Sequence, residues 1–340
     1  MSTDKRKQSL LVWLEGVFGT DDFTCEAASA DASFRRYFRV VLKGDSYVVM
    51  DAPPAKEDCR PFILIAQLLR EQSINAPVIF HQSLELGFLV LTDFGADCYL
   101  DKLHSKTASP YYEDAVQALH KMHQLNVAEL TLPAYDAILL QQEMDLFKDW
   151  FLVEFLGLKL SEVEQNDLQR IQQNLAGSAL EQPQVFVHRD YHSRNLMLCG
   201  QDNPGVIDFQ DAVIGPLSYD LVSLYRDCYI EWPDEKIYAW LDRFLQQRVG
   251  AGCDDAFDTK CFYQWFDWMG VQRHMKAIGI FCRLLLRDGK SGYLKDIPRT
   301  LAYVSNICRK YDELTPLAEL LDSHSVLAKF ESRVQGLQLR

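Results

Sequence analysis

Between Lys56 and Ser73 the chain reads "KEDCRPFILIAQLLREQS". Apolar Phe62, Ile65, Leu68 and Leu69 recur at i, i+3, i+6 and i+7, the spacing of one helix face. The segments around this helix carry a different period. "CEAAS", "FRRYFRVVL" and "SYVVMDAP" are short, β-rich runs. Lys43-Gly44-Asp45 between the last two is a hairpin signal. "APVIFHQSLELGFLVLTDFG" adds two more strands that turn near Leu86-Gly87. With an amphipathic helix over the first nineteen residues, the expectation is a five-stranded sheet with one main helix after its third strand. From about residue 98 the pattern turns helical, with helices expected over 110–125, 139–157, 161–177, 218–230, 234–249 and 260–287. A short β-rich insert interrupts them at 183–209. The pattern therefore predicts an α+β protein in two lobes, residues 1–95 and 96–340. A cleft between two such lobes is a common place for a small ligand.

Composition narrows the function classes. The chain has 340 residues, 48% hydrophobic and 24% charged, which is ordinary for a globular protein. A formal net charge of −13 speaks against a nucleic-acid or membrane-surface binder, since both attract basic proteins. Nine scattered cysteines include no C-x-x-C pair, which fits a reducing, cytoplasmic setting. No apolar run approaches the ~18 residues of a membrane span, and no obligate protein partner is evident.

The chemistry concentrates in "VFVHRDYHSRNLM", residues 185–197. Charged groups beside a core are costly unless paired or put to use. Asp190 precedes Asn195 by five residues, and Asp208 follows thirteen later at the end of the apolar run "GVIDF". Asn195 and Asp208 offer hard oxygen donors suited to Mg²⁺, which keeps few protein ligands. Asp190 is then available to accept a proton from a hydroxyl, and the three together suit phosphoryl transfer. A competing reading uses His188 and His192 with Asp190 and Asp208 as a hydrolase-like transition-metal site.

"HRDYHSRN" matches the H-x-D-x-x-x-x-N catalytic loop of the kinase superfamily, and "VIDFQDAVIGPLSYDLVSL" resembles the aminoglycoside phosphotransferase family. "ADASFRRYFR", "VVMDAPP", "CRPF" and "MGVQRHMK" resemble one subgroup, the anomeric amino-sugar kinases of bacterial cell-wall recycling. The resemblance implies a two-lobed protein-kinase-like fold with a small β-rich N-lobe and a larger helical C-lobe. It also implies ATP and Mg²⁺ as cofactors, and an acceptor such as N-acetylmuramate or N-acetylglucosamine phosphorylated at C1. Residue by residue, Asp190 matches the catalytic base, and Asn195 and Asp208 the metal ligands. His188 and Asp220 match residues that support the loop. Leu91–Gly95, with Thr92, Asp93 and Phe94, matches the hinge that meets adenine. The alternatives are the same fold acting on an aminoglycoside, a choline-like amine or another sugar, or a non-catalytic nucleotide-binding module.

Two departures from the kinase pattern stand out. Met50 holds the place of the third-strand lysine that grips ATP phosphates, and the phosphate-covering loop "ASADAS", which includes Ser33, lacks glycines. The expected substitute cation is one of Arg35, Arg36 and Arg39, unless these only line a solvated strand edge. On a helical wheel of 260–287, Arg273, Lys276, Arg283 and Arg287 share one arc of about 80°. That stripe is either a solvated helix face or a receptor for an anionic acceptor, with Arg273 as the expected carboxylate contact. Tyr229, Trp265 and Trp268 are candidates to stack on a sugar ring, the tryptophans competing with ordinary core packing.

Overall fold

A computed structural model describes residues 4–30, 34–250 and 258–338. Helix α1 (Lys5–Phe18) begins where the Asp4 carboxylate accepts the Lys7 N–H at 3.1 Å, and ends at Gly19 with φ 66°. Strands β1 (Thr24–Ala30), β2 (Arg36–Leu42) and β3 (Asp45–Asp51) follow. Lys43 and Gly44 both take positive φ, as a two-residue hairpin between β2 and β3 requires. Helix α2 (Arg60–Glu71) has a proline in its first turn and precedes β4 (Ile79–Ser83) and β5 (Phe88–Thr92). Then come α3 (Tyr99–Lys102), α4 (Ala108–His123), α5 (Ala137–Leu146) and a π-helical stretch at Phe147–Phe155. Helix α6 (Glu162–Leu180) opens with a capping box between Ser161 and Glu164. Short strands β6 (Gln184–Val187), β7 (Leu196–Met197), β8 (Gly205–Val206) and β9 (Val213–Pro216) are followed by α7 (Tyr219–Tyr225) and α8 (Asp234–Gly250). The chain closes with α9 (Thr259–Asp288), α10 (Ile297–Cys308), α11 (Thr315–Ser323) and α12 (Val326–Gln338).

Strand alternation and helix periodicity place the five strands and α2 correctly. Two helices differ from expectation. The one over 139–157 passes into the π-helical stretch, and α7 stops at Tyr225 rather than 230. The three helices after Asp296 are additions to the sequence reading.

Two compact units form. The first runs to Lys102 and includes Arg194–Asp211; the second comprises Leu103–Ser193 and the chain from Ala212. In the first, the antiparallel sheet has the order β1-β2-β3-β5-β4. Period-two alternation gives it two faces. Phe38, Val40, Val49, Phe88 and Val90 pack against Leu10 and Leu14 of α1. Asp51, at the edge of this layer, is fully buried. Its carboxylate accepts from Arg6 Nε at 2.8 Å and from Arg36 Nη2 at 2.6 Å, so two guanidiniums offset its desolvation. The other face carries Tyr37, Arg39, Val48 and Leu91.

In the second unit, β6 and β9 pair antiparallel. Helix α9 lies at the centre, packed by α5, the π-helical stretch, α6, α7 and α10. Its residues are buried almost all round from Phe262 to Leu284. Close approach of α5 depends on Gly279, where an added Cβ would sit 2.4 Å from the Leu146 carbonyl carbon. At Gly270, on the same helix, the nearest atom would be Arg226 Nη1 at 3.5 Å, an ordinary contact. Gly279→Ala is therefore expected to destabilise the fold by about 1–3 kcal/mol through overpacking. Gly270→Ala should instead gain up to about 1 kcal/mol of helix propensity. Urea unfolding midpoints of the two variants measure this contrast.

Candidate active site

The β7–β8 hairpin assembles two of the predicted functional side chains. Leu196 pairs with Val206 and Met197 with Gly205, so Asn195, just before β7, and Asp208, just after β8, become neighbours. Asn195 Nδ2 donates to Asp208 Oδ2 at 3.2 Å, and the Asn195 carbonyl accepts the Ile207 N–H at 3.1 Å. Asp208 has φ 64°, a conformation that aspartate tolerates better than most residues. Gln210 Nε2 donates to its other oxygen at 2.9 Å. A carboxylate and a carboxamide this close fit a hard divalent cation that keeps most of its water.

Both residues line a cleft of about 480 Å³ within the first unit. Its walls include Val48, Leu91, Thr92, Asp93 and Phe94, and the outward face of β2. Of the three arginines expected to supply a cation, only Arg39 borders this cleft. Its guanidinium grips Asp93 through Nε at 2.6 Å and Nη2 at 3.0 Å, and also donates to the Gly95 carbonyl at 2.9 Å. Burial pushes the Asp93 carboxyl up, but Arg39, Ser46 and the Gly95 N–H together hold it below its ordinary value. Arg36 points to the opposite sheet face, where it binds Asp51 and Asp4. Arg35 is half-buried, 3.9 Å from Glu57. Ser33 lies outside the described residues. Met50 is buried in β3. The sequence treated the arginines alike, whereas alternation along β2 separates Arg36 from Arg39.

In the second unit, β6 delivers His188, Arg189 and Asp190. Asp220, at the start of α7, accepts the His188 N–H at 2.7 Å and the Arg189 N–H at 3.1 Å. Burial pushes its carboxyl up to about 7 against those two donors. His188 is fully buried, and its Nδ1 accepts the Asp190 N–H at 3.3 Å. Tyr191 Oη donates to the Ala115 carbonyl at 2.9 Å, and the Ser193 N–H to Asp227 at 3.0 Å. The loop is thus held from beneath at five successive or near-successive residues. Asp190 is half-buried. Burial alone would raise its carboxyl pKa, but Lys276, His192, Arg273 and His188 outweigh that and hold it below its ordinary value.

Sequence reasoning missed Glu143. This buried α5 carboxylate receives the Arg189 guanidinium, the Tyr135 hydroxyl and Lys276 Nζ, the last at 3.1 Å. Its signal was available, because Glu143 lies on the apolar face formed by Leu140, Met144 and Phe147. Asp227 was missed as well. The supposed basic stripe is divided. Arg273 and Lys276 are buried, Arg283 is half-buried, and exposed Arg287 pairs with Asp288. Trp265 and Trp268 are 6% and 7% exposed, with Trp265 Nε1 donating to Glu181 at 2.7 Å, which makes them packing residues. Tyr229 is half-buried, its ring edge-on to His192. Among the described residues no group of three or more His, Cys, Asp or Glu is placed to hold a metal, which leaves the hydrolase-like reading without support. Among them, too, no helix is long and apolar enough to cross a membrane.

A unit built on a five-stranded antiparallel sheet and a mostly helical unit define a protein-kinase-like fold. Solved structures share it: a choline kinase from Streptococcus pneumoniae (TM-score 0.65, 11% identity, 89% of this chain and 100% of that one). A gentamicin-bound aminoglycoside phosphotransferase is similar (TM-score 0.59, 15% identity, 86% and 95%). Residues 24–257 match the model of the phosphotransferase enzyme family, and the chain belongs to that family. It is 45% identical to an N-acetylmuramate/N-acetylglucosamine kinase of Pseudomonas aeruginosa, over 95% of this chain and 98% of that protein. Proteins of the same name in Pseudomonas putida (44%, 94% and 96%) and Neisseria meningitidis (42%, 93% and 95%) are similar.

The Asp220 geometry has a pH consequence. The folded carboxyl titrates near 7 and the unfolded one near ~3.9. Between those values the native state keeps a proton that the unfolded state has released. This group's contribution is therefore complete below about pH 4 and is lost as pH rises through 7. Relative to Asp220→Asn, wild-type stability should fall by up to about 4 kcal/mol from pH 4 to 7. Urea melts of both proteins across that range test it, and a flat difference would refute the shifted titration.

Proposed function

We propose that this protein transfers the γ-phosphoryl group of ATP to the C1 hydroxyl of N-acetylmuramate or N-acetylglucosamine. The observation that carries the reading is 42–45% identity over nearly full length to kinases named for those two sugars. The local chemistry supports it. Asn195 and Asp208 would hold Mg²⁺, which would supply charge neutralisation at the phosphates. Asp190 orients the acceptor hydroxyl and takes its proton at a carboxylate oxygen. A hemiacetal hydroxyl is more acidic than an ordinary alcohol, so a carboxylate held below its usual pKa still suffices. His188, Asp220 and Asp227 fix the loop, and the segment Thr92–Phe94 receives the base of the nucleotide. Eight described cysteines are free thiols, which supports a cytoplasmic setting. Lys276 and Arg273 beside Asp190 make the acceptor side unsuited to a polycation such as an aminoglycoside.

Incubation with Mg-ATP and each sugar, followed by phosphorus NMR, should show a glycosyl 1-phosphate. Appearance of a 6-phosphate, or no product from either sugar, would defeat the proposal. Asp190→Asn should lower kcat by about 10²–10⁴-fold with ATP affinity retained. For the cleft, Arg39→Ala should raise the KM for ATP about tenfold, the scale of one lost charge-assisted contact. Arg36→Ala should leave that KM in place and lower the melting temperature instead. Equal effects of the two on ATP would remove the special position of Arg39.

A further inference from the structure

Among the described residues, Arg273 is a buried cation near the catalytic loop that has no carboxylate in direct contact. Arg189 and Lys276 share Glu143, but among the described residues no carboxylate lies within ion-pairing distance of Arg273. The side chain belongs to a residue only 6% exposed. Among the described residues its hydrogen-bond partner is the Cys228 thiol alone, 3.9 Å from Nη1, and its Nε has none. The thiol is itself kept neutral, its pKa raised by burial. The ring of Tyr219 lies below the guanidinium at 6.0 Å, a weak contact at that range. Buried charges are normally paired, because desolvation costs several kcal/mol per ion. An arginine left this way lacks an anion.

The surroundings say which anion completes it. Asp190 and Asp227 are among the charges felt by Arg273, so the guanidinium is close to the residue that takes the acceptor hydroxyl. The metal-binding pair that deals with the nucleotide phosphates belongs to the other compact unit. A second guanidinium meets the same short segment. Arg299, 31% exposed and 3.6 Å from the Asp296 carboxylate, donates to the Cys228 carbonyl at 2.8 Å, while Tyr229 and Ile230 beside it are only half-buried. Cys228 is thus approached by one arginine from within and by one from the solvent side.

We propose that Arg273, with Arg299 at the approach, is the receptor for a carboxylate carried by the acceptor sugar. This rests on the sugar-kinase reading above and refines it. N-acetylmuramate bears a lactyl ether carboxylate and N-acetylglucosamine does not, so Arg273 separates the two substrates. A guanidinium can meet a carboxylate through two parallel N–H donors, a geometry that a lysine does not reproduce.

The test compares three acceptors, N-acetylmuramate, its methyl ester and N-acetylglucosamine, with wild-type protein and with Arg273→Met. Wild type should use the free acid with a kcat/KM at least 30-fold above the ester. In Arg273→Met the acid should lose at least 30-fold more than N-acetylglucosamine loses, and the acid-to-ester ratio should fall towards one. A purely structural arginine predicts equal losses for all three acceptors, and that result overturns the receptor. Should the variant not fold, the wild-type comparison decides alone: equal use of acid and ester overturns the receptor while the kinase reading stands. If wild type phosphorylates none of the three, both readings fall.

Discussion

Burial of a carboxylate between two cations is the interaction on which the His188–Asn195 segment depends. Glu143 sits inside the helical unit with Arg189 on one side and Lys276 on the other. Each ion would be expensive there alone, and removing any partner would strand the rest. The pairing ties α5, the loop after β6 and helix α9 together at one point. Gln272 and Tyr135 extend it by neutral hydrogen bonds. Asp190 therefore sits in a field set by residues that cannot drift independently.

The sheet unit repeats the device. Asp51 is as buried as Glu143 and lies between Arg6 and Arg36, joining α1 to the edge of β2 and β3. Here the network serves attachment rather than chemistry. The same arginine-rich run contributes Arg36 to the scaffold and Arg39 to the cleft, three residues and one sheet face apart. Near-identical side chains acquire different work from the parity of their positions.

That parity explains what the sequence made legible. Strand alternation and a local motif are short-range properties, so β2, β3, the His188–Asn195 segment and Asp208 stand out in a single chain. Asp220 was readable only through likeness to a family. Glu143 and Asp227 act across 46 and 34 residues, and nothing local names their partners. The wheel for α9 failed for a related reason. It sorts residues by angle and assumes one wet side, whereas five neighbouring elements enclose this helix. Arg273 and Lys276 consequently ended up inside rather than on a stripe.

Arg189 takes φ 75°, a left-handed conformation where a side chain costs about 1–2 kcal/mol and glycine costs far less. A glycine there would relax the peptide but leave the buried Glu143 carboxylate with one cation fewer, and breaking a buried pair costs about 3–5 kcal/mol. The strain is thus the smaller of the two energies, and a library searched for heat tolerance should keep arginine at a position where backbone geometry alone would choose glycine.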